Sequence, residues 1–339
     1  MKLITFGIPC YNSSSYMRRC IDTVLAGGED IEILIVNDGS TDDTEAIAFE
    51  YAKKYPNIIK TISQENGGHG AAVETALANA RGTYFKIVDS DDWVDEKALV
   101  YFISAVRSFL RTAVMPDMII TNYVYEHAAD NTRHRVRFAN ALTPETLLTW
   151  QDIGRFRPGQ YMTMHSQTYR TELLKKSNIN LPHHAWYVDT IYSYKPLPNI
   201  ESIYYIDVDL YRYFIGRSDQ SVNTAVMLKR IDQQLNITRI LIDSYPFSYL
   251  RHNRERYRYM IHFLAMYMTI ASVLLIMSGT KDDYITRKNL WNYLRRKDER
   301  VYRRIRYRSA NFFLTYPSSK GKYLFTAIYH VFNRIFKFS

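Results

Sequence analysis

Tyr84-Phe85-Lys86-Ile87-Val88-Asp89-Ser90-Asp91-Asp92 decides the fold of this chain: a short, mostly apolar run that stops on a cluster of acids. A run of this kind predicts a buried parallel strand over 84–88 whose carboxyl end opens into a polar turn. Leu3–Ile8, Ile31–Val36 and Ile58–Ile62 are upstream runs of the same sort. Helical spacing fills the gaps. Ser13–Leu25 has apolar residues at Tyr16, Cys20, Ile21, Val24 and Leu25. Thr41–Tyr55 begins behind Ser40 or Thr41 as a cap with acids in its first turn, and Ala71–Ala80 makes a third helix. Strands separated by helices of this length predict a parallel sheet with helices on both faces. Such sheets bind ligands at the carboxyl ends of their strands.

Asp89-Ser90-Asp91-Asp92 carries the strongest chemical signal. Acids at the first and third positions of an extended end point to the same side, where a loop can converge both on one cation. Hard oxygen ligands with no cysteine nearby suit Mg2+ or Mn2+. The same residues also suit the cap and first-turn acids of a helix over Trp93–Val100. At the second strand end, Asn37-Asp38-Gly39-Ser40-Thr41-Asp42-Asp43 reads as a glycine turn with capping residues. Asp38 exceeds that account, because it lies where it could read a base or ribose by hydrogen bond. Glu65–Ala72 is a glycine turn that opens a helix and offers backbone N–H groups to a phosphate.

Ile8-Pro9-Cys10-Tyr11-Asn12, Val36-Asn37-Asp38-Gly39-Ser40-Thr41-Asp42, Asn66-Gly67-Gly68 and Val88-Asp89-Ser90-Asp91-Asp92 follow four successive strands in order. Over residues 1–100 this set resembles the family 2 glycosyltransferases, which have the GT-A nucleotide-sugar-binding fold. The resemblance implies an α/β fold, a mixed, mainly parallel sheet flanked by helices, followed here by a basic helical C-terminal module. It implies inverting, metal-dependent transfer of a sugar, from a UDP-sugar, to a hydroxyl of a bacterial envelope glycan or lipid-linked acceptor. By the same resemblance Pro9, Tyr11, Asn12 and Asp38 hold the base, while Asn66, Gly67 and His69 line the donor pocket. Asp89 contacts ribose or the metal–phosphate cluster with Ser90 beside it, and Asp91 with Asp89 holds Mg2+ or Mn2+. The catalytic base matches Asp189 in Tyr187-Val188-Asp189-Thr190, with Trp186 placed to stack on a sugar and His184 as a second acceptor contact. Val188 stands where many relatives have Glu. Tyr211–Val222 resembles the loop that closes over the donor, where Arg217, Ser218 and Ser221 meet the diphosphate, with Arg212 as the alternative.

Composition bounds the rest. With 339 residues, 47% hydrophobic and 23% charged, the chain can build a core. Two cysteines, Cys10 and Cys20, suggest a reducing compartment, and the opening residues predict no cleaved leader. The net charge of +10 is uneven: −5 over residues 1–112, zero over 113–224 and +15 over 225–339. These three stretches are expected to be the nucleotide-sugar half, the acceptor half with the base, and a helical module for membrane association or oligomerisation. The uncharged 22 residues Tyr259–Thr280 are long enough to span a bilayer. One span would put two basic flanks on opposite sides, so a buried helix is the better expectation. Lys320–Phe338, an apolar helix with a narrow polar stripe, suits the inner face of the cell membrane or a homo-oligomer interface. The basic run Lys281–Arg308 would add attraction to anionic lipid. The chain is thus expected to be cytoplasmic and peripheral to that membrane. A NAD(P)-dependent dehydrogenase would need G-x-G-x-x-G in the first turn, which is absent. A non-catalytic nucleic-acid or membrane binder is disfavoured too, since no reader motif is present and the acids of the first third repel a phosphate backbone.

Overall fold

The computed structural model describes residues 2–112, 114–128, 130–157, 159–216, 224–309 and 311. In chain order the first elements are β1 (Ile4–Cys10), α1 (Met17–Leu25), β2 (Ile31–Asp38), α2 (Thr44–Lys54), β3 (Ile59–Gln64), α3 (His69–Asn79) and β4 (Tyr84–Ile87). Every residue of β1, β2 and β4 is buried, so these strands show continuous apolar runs instead of alternation. The four strands are parallel and lie side by side as β3-β2-β1-β4. Their carboxyl ends share one edge, which brings the four polar loops together.

Next come β5 (Trp93–Val94), α4 (Glu96–Thr112), β6 (Met118–His127), β7 (Thr132–Val136), β8 (Leu147–Leu148), β9 (Gln167–Arg170), α5 (Thr171–Lys176), α6 (Val188–Tyr194) and β10 (Ile203–Ile215). The sheet continues from β4 through antiparallel β9 to β6, then to β10, which is parallel to β6, and ends on β5. It is therefore mixed, with a parallel half formed by β1 to β4. The helix expected at Trp93 begins only at Glu96. Trp93 and Val94 pair with β10 instead, and Asp95 Oδ1 caps the helix by accepting the Ala98 N–H at 3.0 Å. Asp89–Asp92 are thus released from the capping role.

The chain forms two compact units, Met1–Phe156 with Met162–Gly216, and Arg157–Tyr161 with Arg217–Ser339. The described helices of the second are α7 (Thr224–Lys229), α8 (Ile231–Asp243), α9 (Phe247–Leu250), α10 (Arg254–Ser278), α11 (Lys281–Lys297) and α12 (Glu299–Arg308). Asn253 caps α10 by accepting the Arg256 N–H, and Gly279 ends it in the left-handed region at φ 73°. Of the most apolar stretch of α10, 72% is buried within the protein. Apolar residues all round such a helix suit the core of a helical unit. Ser272 within it accepts a hydrogen bond from Trp291 Nε1 of α11 at 3.1 Å. Lys320–Phe338 lies outside the described residues.

Candidate active site

The strand-end loops are fastened to one another by polar side chains. Asp38, buried at the end of β2, accepts hydrogen bonds from Gln64 Nε2 (2.7 Å), the Gly67 N–H (2.9 Å) and the Gly68 N–H (2.8 Å). Its carbonyl accepts from Asn66 Nδ2 at 2.9 Å. Asp38 is therefore the buckle of the glycine turn. Gly68 has φ +85°, and a Cβ there would stand 2.9 Å from the backbone N and Cα of His184. The His184 N–H donates to Gly67 O at 2.7 Å. Only glycine permits that approach, and it ties the glycine turn to the loop before α6.

In the first loop, Asn12 is left-handed (φ 48°) and bridges to the second: its N–H donates to Ser40 Oγ (3.0 Å) and its Oδ1 accepts the Thr41 N–H (2.9 Å). Tyr11 beside it is 53% exposed, its ring open to solvent, whereas Pro9 is buried within β1. Ser90 is buried and its hydroxyl shares a 2.8 Å hydrogen bond with Ser13, fastening the fourth loop to the first. Burial pushes the Cys10 thiol up to about 12, so it stays protonated.

The acids are arranged around His69, the first residue of α3. Asp89 Oδ1 lies 2.7 Å from His69 Nε2. Burial opposes both charges, but each partner stabilises the other, so His69 is drawn up and Asp89 held down. Asp92 turns inward, accepting from Tyr211 Oη (2.6 Å) and the Phe214 N–H (2.8 Å) of β10. Burial and the charges of Asp91 and Asp89 push its carboxyl well above the usual range. Tyr211 Oη also accepts the Asp89 N–H at 3.2 Å. Asp91, half-buried on this turn, acts electrostatically on both Asp92 and His69.

His165 and Lys86 are two residues of the site that the sequence reading did not single out. His165 is 8% exposed, stacked on Tyr213 (ring centroids 4.5 Å apart) and edge-on to Tyr211 (4.8 Å). Burial lowers its imidazole to about 4, which leaves it neutral. Lys86 Nζ, buried under the cluster, donates to the carbonyls of His165 (2.7 Å) and Gln167 (3.3 Å). A lone lysine inside an apolar strand was the available clue. One potential ligand atom each from Asp89, Asp92 and His165 lies within 4.8 Å of the others. Two carboxyl groups and an imidazole are donors that could hold a divalent cation, whose charge would favour the ionised form of Asp92.

Asp189 is the second residue of α6. The loop that delivers it holds two non-glycine residues in the left-handed region, His184 (φ 49°) and Tyr187 (φ 64°). Burial raises Asp189 to about 6; His69 opposes the shift and Asp89 adds to it, so all three share one electrostatic neighbourhood. Trp186 is half-buried in the same loop and His184 is exposed. Gln64, Asn66, Gly67, Glu74, His183 and His184 line a cleft of about 500 Å3 beside the glycine turn. Arg212 is not free for a diphosphate. Only 17% of its side chain is exposed, and it pairs with Asp95 (2.9 Å) and Glu126 (3.1 Å), which corrects the alternative assignment. Arg217, Ser218 and Ser221 lie outside the described residues.

Residues 5–173 match the family model described as glycosyl transferase family 2. Over 228 residues the chain is 27% identical to the glycosyltransferase GlyA of Streptococcus pneumoniae serotype 4, covering 64% of this chain and 31% of that protein. It is 32% identical over 130 residues to the minor teichoic acid biosynthesis protein GgaB of Bacillus subtilis, covering 37% of this chain and 14% of that protein. The chain thus spans a third or less of these curated relatives. The crystal structure of S. aureus TarS 1–349 in complex with UDP-GlcNAc aligns with a TM-score of 0.52 at 22% identity, over 91% of this chain and 92% of that one. This likeness is one of fold, the GT-A arrangement of a mixed sheet with a helical C-terminal region. With four ordered strand-end motifs, that sheet and the family match in agreement, the chain belongs to glycosyl transferase family 2.

Proposed function

We propose that this chain transfers a sugar, with inversion, from a UDP-sugar to a hydroxyl of a cell-surface glycan or lipid-linked acceptor. The observation that carries the proposal is the single hydrogen-bonded assembly of strand-end loops: Asp38 holds the glycine turn, the turn carries His69 to Asp89, and Gly67 and Gly68 receive the loop that presents Asp189. The exposed Tyr11 ring and the first two loops would take the base, and the glycine turn would face the donor. Asp89 and Asp91 would hold a divalent cation, Mg2+ or Mn2+, whose charge offsets that of the diphosphate when bound.

Asp189 takes the proton of the acceptor hydroxyl as its oxygen attacks the anomeric carbon opposite the diphosphate. The new C–O bond forms as the bond to the diphosphate breaks, so the configuration inverts. A carboxyl raised to about 6 is ionised at neutral pH and still a better base than an ordinary aspartate. The printed names of the relatives support the substrate classes: TarS was solved with UDP-GlcNAc and GgaB is a teichoic acid biosynthesis protein. Two free, buried cysteines suit a cytoplasmic setting, and the +15 of residues 225–339 suits contact with an anionic membrane surface or a second copy. Calorimetric titration with a panel of nucleotide-sugars, with and without divalent cation, is the test. A UDP-sugar should bind more tightly with the cation; failure of every nucleotide-sugar to bind would overturn the proposal.

A further inference from the structure

We propose that the exposed face of α12, with the adjoining face of α11, docks on the surface of an anionic phospholipid bilayer. This rests on the reading above that the basic last third meets an anionic surface, and it does not depend on the transfer chemistry. α12 holds five arginines and one glutamate, net +4. Arg300, Arg303, Arg304, Tyr307 and Arg308 are exposed and share one side of the helix, while Val301 and Ile305 are buried on the other. The acids at the start of α12 are already engaged. Glu299 pairs with Arg295 at 2.7 Å and with Arg303 at 2.8 Å. Asp298 pairs with Arg251 at 2.6 Å and caps α12 by accepting the Val301 N–H at 2.9 Å. Arg300, Arg304 and Arg308, one helical turn apart, have no carboxylate partner among the described residues.

Apolar side chains stand among these charges. On α11, Tyr284 (49% exposed) and Ile285 (50%) share a face with the exposed Lys281 and Lys288, at i, i+3, i+4 and i+7 spacing. Tyr307, 55% exposed, interrupts the arginines of α12. Glu299 joins Arg295 of α11 to Arg303 of α12, so the two faces adjoin at that acid. The mixture selects the occupant. Each basic residue held at an anionic leaflet strengthens binding about fivefold at low salt. Exposed rings and aliphatic tips enter the headgroup layer, and arginine and lysine stems spread over it. A soluble polyanion would use the charges and leave Tyr284 and Ile285 in water. A second copy docked symmetrically would set arginines against arginines.

The test floats the full chain with vesicles of phosphatidylcholine alone, or of equal parts phosphatidylcholine and phosphatidylglycerol. Binding is expected to the mixed vesicles only, and to weaken as salt is raised. Arg300→Gln, Arg304→Gln and Arg308→Gln together should lower that binding about tenfold or more, with an unchanged melting temperature. Lys53→Gln, Lys54→Gln and Lys60→Gln together remove as much charge from exposed positions of the sheet unit, and should change binding by about twofold or less. A parent chain that ignores the mixed vesicles overturns the inference without needing any variant to fold. Equal binding to both vesicles overturns it, as does undiminished binding of the arginine variant or an equal loss in the lysine variant. Binding to soluble polyphosphate with none to vesicles assigns the face to a polymer and overturns it too. The nucleotide-sugar panel is read separately, so a protein that binds UDP-sugar but not the mixed vesicles loses this inference and keeps its proposed transfer.

Discussion

Replacing Asp189 by Asn should make the protein more stable and inactive at once. Burial raises the Asp189 carboxyl from 3.8 to about 6. The folded state therefore holds this proton to a higher pH than the unfolded chain does, so stability falls as pH rises between those two values and the full deficit is present above about 6. The gap corresponds to about 3 kcal/mol, and partial solvent access to the side chain reduces it to about 1–3 kcal/mol. Asparagine has nearly the same shape and no charge. Asp189→Asn should thus gain about 1–3 kcal/mol at pH 8 and almost nothing at pH 3.5, where the parent carboxyl is largely protonated in both states. In thermal melts this is a rise of about 2–4 °C per kcal/mol at the higher pH only. Loss of the base should lower turnover by about 10²–10⁴ while UDP-sugar affinity stays within about twofold. In the parent, turnover should rise with pH through about 6 and then level. Retained turnover in Asp189→Asn, or a stability difference independent of pH, would refute this account of the residue.

Gly68→Ala forces a side chain onto the His184 backbone at φ +85° and should cost about 1–3 kcal/mol in urea titrations, with weakened UDP-sugar binding. Asp38→Asn sets an amide donor against at least one of the three groups that now donate to the carboxylate. A loss of about 1–3 kcal/mol is expected, and an equally stable variant would show that the buckle is dispensable. Arg212→Met should lower the melting temperature, because Asp95 and Glu126 lose their partner, yet leave UDP affinity in calorimetry unchanged. Weaker nucleotide binding there would restore Arg212 to the diphosphate. Truncation after Ser319 should reduce sedimentation with anionic vesicles; unchanged pelleting would remove Lys320–Phe338 as a membrane contact.

Much of the β1–β4 region was legible because its signals are local. Buried parallel strands are continuous apolar runs, and the turns that end them need Gly, Asn and Asp for conformational reasons that hold within a few residues. That the four polar loops share the carboxyl edge of a parallel sheet followed from those signals, whereas the order β3-β2-β1-β4 came only with the structure. Asp189 was reachable only through the family resemblance, since one acid in a first helical turn carries no signal of its own. Tyr259–Thr280 was ambiguous in principle, because a core helix and a membrane span are equally apolar; the packing of α10 within its own unit resolves how its side chains are buried. Insertion of antiparallel β9 between β4 and β6 is a long-range pairing, and it is what sets Lys86 against the carbonyl of a residue 79 positions away. Likewise Tyr211 reaches Asp92 across 119 positions. Sequence by itself determined the first four strands, their turns and the acids at their ends. Tertiary structure alone decided which way Asp38, Asp92 and Arg212 face and that His165 joins the acids, because side-chain direction and proximity depend on neighbours that local spacing does not encode.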